Sequence, residues 1–251
     1  MARRRLARAL VTTAALQVLV AHAAHPLISE DTGTQGSGKT ELELGTATTH
    51  VADARVRELD PQLSYGVLDN LDAILRPSVF WLTGSAADAA GRRHGLGSTA
   101  LDVKWRAAGE GPWTFGMRGG LDLPTAQQGL GAQSVGEHVL AMATYDSEPL
   151  MGTVNLAYAH AARDPAVPLL RRDVVRASAG ALLNVSEDVR LAGDLALYNS
   201  SDSTERGWLA VGVIGFIARL PWGFDVDAGY QFALNARAPT GAWLLGATVR
   251  W

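Results

Sequence analysis

Phe224-Asp225-Val226-Asp227-Ala228-Gly229-Tyr230-Gln231-Phe232-Ala233-Leu234-Asn235 alternates with period two. One face reads Phe, Val, Ala, Tyr, Phe, Leu, and the other Asp, Asp, Gly, Gln, Ala, Asn. Successive side chains of a strand point to opposite sides, so this stretch is a half-apolar strand, of the roughly ten residues that cross a bilayer at a tilt. The end of the chain repeats the pattern, with Trp243, Leu245, Ala247, Val249 and Trp251 set against Leu244, Gly246, Thr248 and Arg250. Leu101, Val103 and Trp105 likewise oppose Asp102, Lys104 and Arg106. Phe115, Met117, Gly119, Leu121 and Leu123 oppose Thr114, Gly116, Arg118, Gly120 and Asp122.

Outward from these, the same reading predicts strands near 40–49, 57–67, 70–82, 97–107, 113–124, 136–146, 149–161, 171–185, 189–199, 207–220, 223–235 and 242–251. The count is even, and the connections alternate between short (68–70, 108–112, 146–149, 186–188, 221–222) and long (50–56, 83–96, 125–135, 162–170, 200–206, 236–241). With both chain ends in the periplasm, every short turn falls on that side and every long loop outside. This predicts an all-β chain, a closed antiparallel up-and-down transmembrane β-barrel of about twelve strands.

A soluble sandwich or barrel uses the same alternation, and period alone does not say which face is inside. The aromatics favour the membrane. Tyr65, Trp105, Trp113, Tyr145, Trp222, Phe224 and Trp251 fall near one end of the predicted strands, and Phe80, Trp81, Tyr158, Trp208, Phe232 and Trp243 near the other. Two aromatic belts around a band of Leu, Val, Ala and Gly match the two interfaces of a bilayer.

The first residues carry a basic head (Arg3, Arg4, Arg5, Arg8), an apolar middle from Ala9 to Val20 and a small-residue end, Ala21-His22-Ala23. That order is a secretory signal peptide cleaved after Ala23, and its middle is shorter than the roughly 20 residues of a spanning helix. The expected division is 1–23 signal peptide, 24–39 Gly-rich periplasmic segment and 40–251 barrel. Cleavage leaves 18 basic against 25 acidic residues, net −7, which disfavours nucleic acid as a partner. The chain has no cysteine, so disulfide scaffolds, cysteine-ligated zinc and thiol catalysis are excluded. The longest later apolar run, 208–218, is too short to cross as a helix.

Gly33-Thr34-Gln35-Gly36-Ser37-Gly38-Lys39-Thr40 satisfies the phosphate-cradling pattern G-x-x-x-x-G-K-[ST]. That chemistry needs a buried strand before the loop and a helix after it. Here Glu41-Leu42-Glu43-Leu44-Gly45-Thr46 alternates as a strand, so the segment reads as a Gly-rich entry to the first strand or a lid at the periplasmic mouth. Among the histidines, His138 and His160 fall on strands. Nothing in the sequence brings Ser134 or Ser178 to His138 as an acyl-hydrolase pair, so His138 reads as a polar strand histidine. No catalytic, cofactor or metal site is expected.

The polar faces predict a charged lumen lined by Glu41, Glu43, Asp72, Arg76, Asp102, Lys104, Arg106, Arg118, Asp122, Arg176, Arg190, Asp194, Asp225, Asp227 and Arg250. Both signs occur in similar numbers, which suits either a cross-strand lattice of ion pairs or a selective pore lining. The terminal Trp251, after alternating apolar residues, reads as a signal for the barrel-assembly machinery.

The start of the expected mature chain, His25-Pro26-Leu27-Ile28-Ser29-Glu30-Asp31-Thr32-Gly33-Thr34-Gln35-Gly36 followed by Glu41-Leu42-Glu43, resembles the opening of a family of Gram-negative outer-membrane proteins. Members are described as transporters or as proteins of the phenol meta-cleavage degradation pathway. Leu63-Ser64-Tyr65-Gly66-Val67-Leu68-Asp69-Asn70-Leu71 looks like that family's second hairpin, and Gly246-Ala247-Thr248-Val249-Arg250-Trp251 like its closing strand. The resemblance implies a barrel for uptake of small hydrophobic or aromatic compounds, and no catalytic residues. The expectation is therefore a passive, porin-like channel in the outer membrane, with lipid, the assembly machinery and a small solute as partners. A lipid-acting outer-membrane enzyme and a plugged structural barrel are the alternatives.

Overall fold

Alternating residues across the chain pair into one closed ring of strands in the computed structural model, which describes residues 26–51, 53–131, 133–161, 171–200, 203, 206–238 and 241–251. The expected signal peptide lies outside the described residues. The strands are β1 (Thr40–Val51), β2 (Ala54–Leu68), β3 (Leu71–Thr83), β4 (His94–Glu110), β5 (Trp113–Leu123) and β6 (Gly136–Ser147), then β7 (Leu150–His160), β8 (Asp173–Asn184), β9 (Val189–Asn199), β10 (Trp208–Leu220), β11 (Phe224–Ala233) and β12 (Ala242–Arg250). Each pairs antiparallel with its neighbours in sequence, and β12 returns to β1. A short α-helix, α1 (Ser85–Ala90), and one 3-10 turn at Pro221–Gly223 break the pattern among the described residues.

The ring closes between Glu41↔Arg250 and Thr49↔Ala242. Beyond the last pair, Trp251 N–H donates to the Thr40 carbonyl at 3.0 Å and Thr40 N–H to the Trp251 carbonyl at 2.9 Å. The final residue therefore completes the seam. A closed ladder satisfies every strand edge, the condition a lipid-embedded sheet must meet.

Burial settles which face is inside. Leu156, Leu195 and Ile214 are 59%, 57% and 60% exposed, whereas Asp72, Asp102 and Arg118 are 1%, 4% and 0% exposed. A soluble barrel would show the reverse, so this one is built for lipid outside and polar groups within. Tyr65, Trp105, Trp113, Trp222, Phe224 and Trp251 are exposed at the end that carries the termini and short turns, and Trp81, Tyr158, Trp208 and Trp243 at the other, where the long loops lie.

Three details differ from the sequence reading. Phe80 leaves the outer aromatic belt: it faces inward and packs with Ala54, Leu82, Ala86, Ala87 and Leu130 beneath α1. The alternation of β3 places it on the same face as Asp72, Ile74 and Arg76. The connection expected at 50–56 is tight, because β1 and β2 pair as far as Val51↔Ala54. The Gly-rich segment, expected in the periplasm, runs from Pro26 inside the lumen and joins the wall at the turn end.

Candidate functional site

Residues 26–39 are held along the inner wall by partners on most of the strands. At the turn end, Gly38 N–H donates to the Gly66 carbonyl at 2.8 Å, and Gly66 N–H to the Lys39 carbonyl at 2.9 Å. A Cβ on Gly66 would overlap the Gly36 carbonyl oxygen, so only glycine permits this approach. Gly36 and Gly66, one from each of two stretches that carry the family resemblance, thus meet at this docking contact.

Most backbone donors of the phosphate-cradle pattern are already engaged. Gln35 N–H donates to Asp72 at 3.1 Å, Ser37 N–H to Asp69 at 3.1 Å, Gly33 N–H to Asp31 at 2.6 Å and Lys39 N–H to the Gly36 carbonyl at 3.1 Å. A phosphate site needs those N–H groups free and a helix behind them, and β1 stands in the helix's place.

Farther in, Thr32 N–H donates to Thr144 Oγ1 at 3.0 Å. Glu30 N–H donates to Asn155 Oδ1 at 2.6 Å, and Asn155 Nδ2 returns a bond to the Glu30 carbonyl at 2.8 Å. Asp194 Oδ2 accepts from Ile28 N–H at 2.9 Å and Ser29 N–H at 2.6 Å, and its Oδ1 from the Ser29 hydroxyl at 3.0 Å. Leu27 packs with Leu182, Ala192 and Ile217, and Ile28 against Val213, Ala242 and Leu244.

At the centre stands Arg118, without solvent exposure. Its Nε donates to Asp102 Oδ2 at 2.9 Å, Nη1 to Glu30 Oε2 at 3.0 Å and Nη2 to Gln62 Oε1 at 3.2 Å, with a further short contact from Nη2 to Asp102. Asp102 also meets Arg76 Nη2 at 3.4 Å and His138 Nε2 at 2.7 Å. His138 Nδ1 faces Asp122 at 3.3 Å. Glu30 Oε1 pairs with Lys104 Nζ at 3.1 Å. A buried ion costs several kcal/mol unless paired and hydrogen-bonded, and this lattice supplies both. Burial alone would raise the Glu30 carboxyl, but Arg118 and Lys104 outweigh it and hold the group below the usual glutamate value.

Of the fifteen residues expected to line the lumen, Glu41, Glu43, Asp72, Arg76, Asp102, Lys104, Arg118, Arg176, Asp194, Asp225 and Asp227 are buried on the inner face. Asp122 is partly buried beside His138. Arg106, Arg190 and Arg250 stand nearer the rim. Arg106 Nη2 donates to the Asp69 carbonyl at 3.0 Å. Arg250 bridges Glu41 at 2.6 Å and Asp225 at 2.7 Å, and Asp225 also lies 3.7 Å from Arg190 and 3.8 Å from Arg219. Asp225 is therefore ringed by arginines. Glu41 and Arg250 also border a cavity of about 200 Å³, which Glu43, Asp72, Gln62 and Lys104 line with them.

Sequence reading missed Glu30, Glu58, Gln62, Ser64 and Asn155. Period two carried through β2 places Glu58, Gln62 and Ser64 on one face, a signal that was there to be read. Glu30 has no such signal because its segment is not a strand. The lumen is also two-sided. The arc from β1 to β6 carries most of the charge, while β8 to β12 turn Val174, Leu182, Ala192, Ala196, Val211, Val213, Ile217 and Leu244 inward. Among the described residues no serine hydrogen-bonds His138, both of whose ring nitrogens face carboxylates; Ser178 sits on β8, two strands away.

No family model matches the chain, and no curated protein matches it. Among solved structures it is similar to an outer-membrane channel from Pseudomonas putida F1, with TM-score 0.69, 12% identity, and coverage of 88% of this chain and 98% of that one. It is also similar to the NanC porin (TM-score 0.61, 11% identity, 83% and 98% coverage) and the KdgM porin (TM-score 0.57, 6% identity, 83% and 98% coverage). At these identities the likeness is one of fold.

Proposed function

We propose that the protein is a passive channel of the outer membrane that carries small solutes, its turn end facing the periplasm. The observation that carries this reading is the inversion of burial: a closed ring of strands with lipid-facing Leu, Val and Ile outside and a hydrated-type lining of paired charges inside. The barrels it is similar to, described as a channel and as porins, support the same reading. The inner face of β8 to β12, where Val174, Leu182, Val211, Val213 and Ile217 stand among Arg176, Asp194, Asp225 and Asp227, suits solutes with an apolar or aromatic body and a polar group. This agrees with the resemblance to transporters of the phenol meta-cleavage pathway. This reading assigns the chain no catalytic step, and gives His138, held between Asp102 and Asp122, a place in the wall's ion lattice.

The test is conductance of the refolded protein in a planar bilayer, followed by reversal potentials with organic anions and cations. Discrete conductance steps are expected. A folded, inserted barrel that never conducts, with or without residues 26–35, sinks the channel reading in favour of a structural barrel.

A further inference from the structure

We propose that residues 26–35 form a displaceable strap, hinged at 36–38, that closes the lumen when seated and opens it when it leaves the wall; this rests on the channel reading above. Pro26, Leu27, Ser29, Glu30 and Thr32 are all buried between the two arcs of the wall, so the seated strap leaves no wide aqueous route beside them.

The way it is held separates the strap from a fixed part of the sheet. Ile28, Ser29, Glu30, Thr32 and Gln35 donate their backbone N–H groups to side chains of the wall. Among the described residues, main-chain to main-chain bonds with the wall begin only at Gly38. Side-chain acceptors can exchange a peptide N–H for water without disturbing the strand ladder, whose own bonds are complete. The change in bonding coincides with Gly36 and Gly38, at φ 84° and 77°, backbone states that glycine enters and leaves without steric cost. Gly66, beside them, fixes the hinge to β2.

The wall is also nearly self-sufficient. If Glu30 withdraws, Arg118 keeps Asp102 and Gln62, and Asp102 keeps Arg76 and His138. Lys104, which gives up Glu30 and Asp31, and Asp194, which gives up the Ile28 and Ser29 donors, are the charges that release hands over to water entering the vacated lumen, while the Arg118–Asp102 pair stays intact.

The chain contains no cysteine, and a Cβ placed on Gly180 lies 3.1 Å from the Ser29 Cβ, close to the 3.5–4.5 Å of a disulfide. Ser29→Cys with Gly180→Cys therefore gives a lock, formed as the Asp194 carboxylate, 2.9 Å from the Gly180 Cβ, swings aside. In a planar bilayer the oxidised variant is expected to conduct at least tenfold less than the same protein after reduction, and reoxidation to close it again. Deletion of 26–35 is expected to conduct in both redox conditions. Equal conductance of the locked and reduced forms overturns the strap while leaving the channel. Wild-type silence beside a conducting deletion variant overturns it too, because the segment is then a fixed plug. Silence of every form, the deletion included, overturns the channel reading itself. Should the double variant fail to give a folded barrel, Glu30→Gln takes its place: a larger open fraction than wild type is expected, and an unchanged one overturns the proposal.

Discussion

At the scale of single residues, the centre of the molecule is Arg118, which satisfies Asp102, Glu30 and Gln62 at once. Removing one partner of a buried ionic group costs on the order of 3–5 kcal/mol, because the remaining charges stay buried without it. Arg118→Ala is therefore expected to lower markedly the temperature at which the folded band converts to the unfolded one on a mild-detergent gel. Arg106→Ala, at the rim, should leave that temperature within a few degrees. Charge selectivity resides elsewhere. Asp225 lies among Arg190, Arg219 and Arg250, and Glu41 is spent on Arg250, so these acids leave little excess negative field. Asp72 borders the cavity and accepts from the Gln35 backbone, whereas Glu43 accepts from Gln62 and shares a hydrogen bond with the Glu41 carboxyl. Low-dielectric walls strengthen the field of such groups on a passing ion. Asp72→Asn should reduce cation preference, read as a shift of reversal potential in a salt gradient, and Asp225→Asn should move it in the same direction by freeing Arg190 and Arg219, while Arg250 keeps Glu41.

At the scale of elements, two segments outside the regular strands carry separate tasks. The strap's hold on Arg118 depends on an ionised Glu30. Since its carboxyl is depressed when seated, the released strap binds the proton more readily. The stabilisation is then complete above the ordinary glutamate value, about 4.3, and is lost as pH falls through the lower, seated value. Open fraction should rise on acidification below about pH 4.3, and Glu30→Gln should flatten that component of the pH dependence. The other segment is the seam. Trp251 and Thr40 exchange two backbone bonds at the closing edge, and the Trp251 side chain is 64% exposed there. Deleting Trp251 should reduce the inserted fraction in membrane preparations. Lys39→Ala with Thr40→Ala leaves those backbone bonds intact and should not change assembly, as expected of a loop most of whose backbone N–H groups already have partners; a loss of insertion in this variant would contradict that account.

For the whole molecule, closure is the property with the plainest consequence. A ring in which β12 pairs with β1 has no free edge from which to unravel, so unboiled protein should migrate faster than boiled protein in a detergent gel. Equal mobility would deny the barrel. The lipid-facing surface, rich in half-exposed Leu, Val and Ile between two aromatic belts, should also make the protein partition with membranes and require detergent for extraction.

Strand number, strand positions and the two faces of most strands were legible in the sequence, because period two is a property of the backbone itself. Asp225 and Asp227, or Lys104 and Asp102, must share a side wherever the strand ends up. The sides of the membrane were legible from the lengths of the turns and the placing of the aromatics, apart from Phe80, whose position near the loop end suggested a belt although the period of β3 turns it inward. What only the tertiary structure decided is which charges meet. Register across neighbouring strands sets Arg118 against Lys104 and Glu41 against Arg250, and the closure of the ring brings β9 and β7 within reach of residues 28–30. The strap has no repeat of its own to betray a lumen position. Its path is fixed by side-chain partners more than 100 residues away, Thr144, Asn155 and Asp194, and such partners exist only once the barrel has closed around them.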